Sequence, residues 1–173
     1  MSIPKTDQSL PDAQDLYERL RQAVQETVQS LDGQPVHLVG IHSGGAWLAR
    51  QIQTDLNLPG EMGTLNISFY RDDFDRIGLH SQTEPSEINF AVEKAHLILI
   101  DDVLYTGRTI RAAMNELFDY GRPASIRLMV LVDRCERELP IQADFSAWTP
   151  EQVPEQDYVL EQMDSGQFRL FLE

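Results

Sequence analysis

The chain has 173 residues, of which 42% are hydrophobic and 24% charged, a composition typical of one globular domain. Its 14 basic and 28 acidic residues give a net charge of −14, and such a field repels polyanions at long range. No apolar run approaches the roughly 20 residues that span a bilayer, and residues 1–10 lack the apolar stretch of a signal peptide. The single cysteine, Cys135, excludes an intrachain disulfide. A cytoplasmic location is therefore expected.

In chain order, the apolar residues alternate between helical and strand spacing, which predicts βαβ units and a mostly parallel central sheet flanked by helices. A first amphipathic helix is predicted to begin at a Ser9 cap, with Asp12 in its first turn, and to end near Gly33. The other predicted elements are strands at 36–41, 65–69, 96–100 and 126–132, helices at 46–56 and 109–120, and a C-terminal β-hairpin at 158–172. Residues 70–87 are polar and without a period, which predicts a long functional or mobile loop.

The strongest chemical signal is the segment from Leu97 to Thr109, where a buried strand is predicted to end at Asp101 and Asp102. A tight turn at Gly107 and a helix follow. Two adjacent carboxylates can accept hydrogen bonds from a vicinal diol, and the start of a helix binds phosphate through its free amides. Because ligands bind at the carboxyl ends of parallel strands, the segment fits a ribose 5-phosphate.

An ordinary strand–turn–helix connection would explain the paired aspartates alone or the Thr-Gly pair alone, but it does not explain their combination. The chain contains neither the G-x-x-x-x-G-K-[ST] of a P-loop nor the G-x-G-x-x-G of a dinucleotide site. A nucleotide hydrolase and a dehydrogenase are therefore disfavoured.

Residues 97–109 resemble the motif with which type I phosphoribosyltransferases bind 5-phosphoribosyl-1-pyrophosphate (PRPP). The segments Ser68–Asp73, Gly121–Pro123, Val130–Arg134 and Arg137–Ile141 resemble the PyrR family, pyrimidine-operon attenuators with uracil phosphoribosyltransferase activity. The resemblance covers about residues 36–172 and implies the type I phosphoribosyltransferase fold, with a small hood over the base. It also implies Mg²⁺ as cofactor, PRPP, uracil and UMP as ligands, and a homodimer or higher homo-oligomer. Residues 1–173 would form a single domain, its hood built from N- and C-terminal parts.

The resemblance assigns roles to individual residues. Asp101 and Asp102 would hold the ribose hydroxyls and, with Arg134, would be catalytic. Mg²⁺ would be bound mainly through PRPP, with these two aspartates as candidate ligands and no direct protein cluster. Ribose and phosphate would be bound by Tyr105, Thr106, Gly107, Arg108 and Thr109, and pyrophosphate by Ser43, Gly44 and Gly45. A flexible closing loop would include Tyr70, Arg71, Asp72 and Asp73. The hood would include Asp133, Arg134 and Arg137.

Two departures from the family leave alternatives open. Gly44 stands where the family commonly has an arginine, so one positive charge is missing from the pyrophosphate loop. Glu136 stands where the family commonly has a histidine, on a surface that the family uses for RNA, and its carboxylate repels phosphate. The chain is therefore expected to be a uracil phosphoribosyltransferase in which RNA binding is possible but weakened. The alternatives are a nucleotide-sensing RNA-binding attenuator and a PRPP- or UMP-binding regulator with little catalysis.

Two side chains near the predicted site remain ambiguous. His42 follows a strand and is equally compatible with a contact to pyrophosphate and with a structural role. Cys135 lacks a neighbouring histidine that would activate its thiol, so a packing role is expected.

Overall fold

The computed structural model describes residues 9–67 and 84–173. The elements, in chain order, are α1 (Ala13–Ser30), β1 (Val36–Ile41), α2 (Gly44–Asp55), β2 (Gly63–Leu65), β3 (His96–Leu104), α3 (Arg108–Asp119), β4 (Ser125–Asp133), β5 (Phe145–Trp148), β6 (Tyr158–Gln162) and β7 (Phe168–Leu172). The first five strands form one sheet in the order β2-β1-β3-β4-β5, with every neighbouring pair parallel. Strands β6 and β7 form a separate antiparallel hairpin. No helix of the described residues is long and apolar enough to cross a membrane.

The central strand β3 separates two apolar cores. Ile98 and Ile100 face a core shared with α1, α2 and the β6-β7 hairpin, whereas Leu97 and Leu99 face a core shared with α3. All four side chains are fully buried. A strand covered on both faces reads as a continuous apolar run, which explains the sequence of β3 before its first aspartate.

The hairpin is held against α1 and the edge of the sheet by aromatic side chains. The rings of Tyr17 and Phe168 lie 5.3 Å apart, and Trp148 packs edge-on against Tyr158 at 5.7 Å. The Tyr17 hydroxyl also donates to Asp55 at the end of α2 at 2.5 Å, and burial raises the pKa of this hydroxyl. Residues 149–157 join β5 to the hairpin, and Pro154, Gln156 and Asp157 accept hydrogen bonds from Arg134, which directly follows β4.

The predicted fold class and the predicted hairpin are confirmed, but three boundaries were wrong. The strand predicted at 65–69 is β2 (Gly63–Leu65), because its pairing with β1 covers only these three residues. The first helix is capped by Asp12 rather than Ser9, because the Asp12 carboxylate accepts the amides of Gln14 and Asp15 at 2.9 and 3.1 Å. Strand β3 does not end at the aspartates. It continues to Leu104, since it stays in register with β4 as far as Asp133. Strand β5 was not predicted.

Candidate active site

The two aspartates lie in the last part of β3, at the carboxyl edge of the sheet. Asp101 is 7% exposed, and its Oδ1 accepts the backbone amide of Asp102 at 2.9 Å. The Oδ1 of half-buried Asp102 accepts the amide of Val103 at 2.8 Å. One oxygen of each carboxylate is therefore held by the backbone, which orients both groups before any ligand arrives.

A short turn carries the chain from β3 into α3. Gly107 has φ 94°, a left-handed conformation that favours glycine. A Cβ on Gly107 would also lie 3.0 Å from the side chain of Ile141. Thr106 Oγ1 accepts the amide of Arg108 at 3.2 Å, and Thr109 stands in the first turn of the helix. The turn therefore brings two threonine hydroxyls and the first amides of a helix together, as an anion site requires.

Residues 134–141, which follow β4, pack directly against this turn. The carbonyl of Thr106 accepts the amides of Glu138 and Leu139 at 3.0 and 3.2 Å. The Glu138 carboxylate also accepts Nε of Arg108 at 2.7 Å, with both side chains more than half exposed. The Arg137-Glu138-Leu139-Pro140 run, singled out in the sequence, thus lies behind the predicted phosphate site.

Arg134 joins residues 154–157 to the turn. It is 6% exposed, and its Nη1 donates to the Asp157 carboxylate at 2.9 Å. Its Nη2 donates to the Pro154 carbonyl at 3.2 Å, and its guanidinium carbon lies 4.3 Å from the centre of the Tyr105 ring. Desolvation raises the pKa of the Tyr105 hydroxyl. Arg134 therefore points into residues 154–157, and its predicted catalytic role stays a prediction.

The predicted pyrophosphate loop lies against the aspartates. A Cβ on Gly44 would stand 2.7 Å from Cγ and 2.9 Å from Cβ of Asp102. A Cβ on Gly45 would stand 2.9 Å from Cα of Asp101. These separations are far inside van der Waals contact, so the start of α2 reaches the carboxylates only because both residues are glycines. Sequence reasoning noted a missing arginine at Gly44 but not this requirement.

His42 connects the predicted pyrophosphate loop to Glu84. Its Nε2 lies 3.6 Å from the Glu84 carboxylate, which lies 3.5 Å from Arg50 Nη2 on α2. Desolvation lowers the pKa of His42, and the charge of Glu84 opposes that shift. Sequence reasoning missed Glu84, because nothing local distinguishes it from other acidic loop residues. The predicted closing-loop residues Tyr70, Arg71, Asp72 and Asp73 lie outside the described residues.

Two further predictions concern metal binding and the cysteine. Among residues 9–67 and 84–173, no group of three or more His, Cys, Asp or Glu side chains could hold a metal ion. Asp101 and Asp102 offer the carboxylate oxygens that Mg²⁺ accepts when phosphate oxygens supply its other ligands. Cys135 is exposed, and desolvation together with the Asp133 carboxylate raises the pKa of its thiol. An activated thiolate is therefore disfavoured.

The parallel sheet, the aspartate pair at its edge and the helix-start turn define a phosphoribosyltransferase. The family model described as phosphoribosyl transferase domain matches residues 8–161. The chain belongs to the PyrR family of these proteins. It is 44% identical over 172 residues to the bifunctional protein PyrR of Nitrosococcus oceani, covering 98% of this chain and 96% of the relative. It is 48% identical over 136 residues to that of Pseudomonas aeruginosa, covering 79% and 80%.

Solved structures of other phosphoribosyltransferases share the fold. A hypoxanthine-guanine phosphoribosyltransferase from Bacillus anthracis superposes with a TM-score of 0.67 at 14% identity, covering 87% of this chain and 85% of the other. A hypoxanthine phosphoribosyltransferase from Staphylococcus aureus gives a TM-score of 0.65 at 16% identity, covering 88% and 81%. The predicted family, fold and enzyme class are therefore confirmed.

Proposed function

We propose that this chain transfers the phosphoribosyl group of PRPP to uracil, forming UMP and pyrophosphate. The observation that carries the proposal is the meeting of three features at one edge of the sheet. These are the oriented carboxylates of Asp101 and Asp102, the glycines of the α2 start, and the turn that opens α3. Together they match the ribose diol, the pyrophosphate and the 5-phosphate of one PRPP molecule.

The proposed chemistry follows from these positions. Asp101 and Asp102 accept the two ribose hydroxyls, while Thr106, Thr109 and the first amides of α3 hold the 5-phosphate. As N1 of uracil attacks C1 of the ribose, the bond from C1 to the pyrophosphate oxygen breaks and the N1 proton is lost. Positive charge then develops on the sugar beside the two carboxylates, which stabilise it.

The leaving pyrophosphate needs compensation for its negative charge. We propose that the amides of Ser43, Gly44 and Gly45 donate to it, because this loop supplies no cationic side chain. Mg²⁺ bound with PRPP would neutralise part of that charge, and Asp101 and Asp102 are the residues that fit it. We propose that Tyr70–Asp73 close over the site and exclude water, which would otherwise hydrolyse the activated sugar.

The base would lie under a hood that belongs to the same single domain, residues 1–173. Asp133, Arg134 and Arg137 stand at the end of β4, and Arg134 links the Tyr105 ring to the chain before β6. The fixed Tyr105 ring supplies an apolar face beside the ribose site. We place the uracil against this ring.

The relatives are named bifunctional, and a second activity proposed here is UMP-dependent regulation through RNA. The negative charge of the chain argues against strong binding of RNA. Arg134 is buried and Arg137 is bonded within the chain, whereas Arg111 and Arg122 are exposed. The exposed Glu136 and the net charge of −14 oppose phosphate binding. We propose a cytoplasmic homo-oligomer whose RNA affinity is weak at physiological salt.

The experiment is a screen of uracil, hypoxanthine, guanine and orotate with PRPP and Mg²⁺, read by release of pyrophosphate. Release with uracil alone supports the proposed reaction. Release with a purine and not with uracil would contradict the proposed base specificity. Tight binding of UMP by calorimetry without release from any base would favour the regulator with little catalysis, which the missing cation at Gly44 suggests.

A further inference from the structure

Three consecutive backbone carbonyls before α3 are all engaged by residues that follow β4. The carbonyl of Leu104 accepts the amide of Arg134 at 2.9 Å, and that of Thr106 accepts the amides of Glu138 and Leu139. The carbonyl between them, on Tyr105, accepts Nη1 of Arg137 at 2.9 Å. The donors to the carbonyls of Leu104 and Thr106 are backbone amides, whereas the donor to the carbonyl of Tyr105 is the side chain of Arg137.

These bonds set the direction of the amides. In a planar trans peptide the C=O and the following N–H point in opposite directions. Because the carbonyls of Leu104, Tyr105 and Thr106 face residues 134–139, the amides of the three following residues face away from them.

Arg137 is itself held by several partners. Its Nε donates to the Ile141 carbonyl at 2.7 Å and its Nη2 to the Asp133 carboxylate at 2.7 Å. The Arg137 and Asp133 side chains are 21% and 14% exposed. Asp133 Oδ1 also accepts the amide of Cys135 at 2.9 Å. A charged donor with every nitrogen engaged is a rigid support, and a shorter or unbranched side chain cannot reach the same acceptors.

We propose that Arg137 is a positioning residue for the 5-phosphate. It fixes the Tyr105–Thr106 peptide so that the turn amides and the Thr106 hydroxyl point at the phosphate before the ligand arrives. This inference rests on the proposed function, because it assigns the phosphate to that turn. Arg137 acts through the turn and makes no contact with the reacting atoms.

The test compares Arg137→Gln with Arg169→Gln, a control at an exposed arginine on the β7 strand whose side chain is 64% exposed. We expect Arg137→Gln to weaken UMP binding and to raise KM for PRPP about tenfold, the effect of one hydrogen bond from a charged group. Inhibition by pyrophosphate is expected to be unchanged, since its predicted loop lies at residues 43–45. The control is expected to change none of these values.

Unchanged UMP affinity in Arg137→Gln, or an equal loss for UMP and for pyrophosphate, would overturn the inference. Should Arg137→Gln fail to fold, Arg137→Lys serves instead, because its ammonium can keep the Asp133 contact. It is expected to lose UMP affinity by less than about tenfold, with pyrophosphate inhibition retained. UMP affinity equal to that of the unmodified protein would count against the inference in this variant too. Failure of the unmodified protein to bind UMP or PRPP would refute the proposed function, and the inference with it.

Discussion

The predicted phosphate turn, residues 105–109, and the predicted pyrophosphate loop, residues 43–45, lie at the same edge of the sheet but are held in different ways. The turn is fixed by hydrogen bonds from residues 134–139 to successive carbonyls. The loop is fixed by close packing. Gly44 and Gly45 let the start of α2 approach the aspartates of β3 so closely that no side chain would fit between them. The turn is therefore held in place by hydrogen bonds, whereas the loop keeps its position because its two glycines have no side chains.

This difference predicts two kinds of sensitivity. Substitutions in and behind the turn remove donors and should weaken ligands that carry a 5-phosphate. Substitutions in the loop add atoms and should displace the carboxylates, because a side chain there meets Asp102 first. The predictions below separate the turn from the loop.

The largest effect is expected at the carboxylates of Asp101 and Asp102, against which the loop packs. Asp102→Asn should lower turnover on the order of a hundredfold, because it removes a charge that stabilises the developing positive sugar. The fold should survive, since the Asp102 side chain is half-buried at the carboxyl edge of the sheet and not in an apolar core. Steady-state kinetics with uracil and PRPP, together with thermal unfolding, measure both quantities. Full activity of a folded variant would show that the ribose assignment is wrong.

Thr109→Val probes the turn alone. It replaces the hydroxyl in the first turn of α3 with a methyl of similar size. Loss of a hydrogen bond to a charged group costs about 1.5–3 kcal/mol, roughly ten- to a hundredfold in affinity for UMP. Calorimetry with UMP measures the loss, and calorimetry with pyrophosphate gives the internal control. Unchanged UMP affinity would remove Thr109 from the phosphate site.

Gly44→Ala probes the loop alone. The added Cβ would overlap Asp102, and relief of such overpacking costs about 1–3 kcal/mol. We expect KM for PRPP to rise and turnover to fall, each by roughly tenfold, as Asp102 moves from its position. Gly33→Ala is the control for activity, because a Cβ there meets nothing within 4 Å and the φ of 74° confines its strain to a turn far from the carboxylates, so it should cost stability and not turnover. Kinetics of Gly44→Ala equal to those of the unmodified protein would show that the contact with Asp102 is not needed.

Glu136→Lys tests RNA binding at an exposed position of residues 134–141, the segment that packs against the turn. Binding of a pyrimidine leader transcript by the unmodified protein is expected to be weak at physiological salt. Replacing the carboxylate with a cation should strengthen binding roughly fivefold and steepen its salt dependence. Filter binding over a salt series, with and without UMP, measures both. A tight, UMP-stimulated complex of the unmodified protein at physiological salt would show that local arrangement outweighs net charge.

The smallest effect is expected at His42, behind the loop. Its folded-state pKa lies below the ordinary value of about 6.5, because burial disfavours the charged ring. The unfolded chain therefore binds the proton more readily, and the stability that the neutral ring contributes is complete above about pH 6.5 and is lost as the pH falls below it. Between pH 7.5 and 5.5, Tm should fall by less in His42→Gln than in the unmodified protein, a difference of under about 3 °C. An equal fall in both proteins would contradict this.

Much of the fold and half of the site could be predicted from local patterns. The alternation of strand and helix spacing predicts the parallel sheet, and the segment from Leu97 to Thr109 contains, within a few residues, the carboxylates expected to bind a ribose diol and the helix start expected to bind a phosphate. The end of β3 was misplaced because the aspartates look like a strand end, whereas pairing with β4 carries the strand to Leu104. Strand β5 was missed because Phe145–Trp148 is short and carries a serine.

The sequence by itself determined the class of the protein, because the motifs that define it lie in contiguous segments, and the residues assigned to its ligands stay predictions. Only the tertiary structure decided how these segments support one another. Gly44 meets Asp102, Arg137 reaches Tyr105, and Glu84 approaches His42 across separations of about 30 to 60 residues. Such contacts depend on strand order and on register between strands, which apolar periodicity along one segment does not encode.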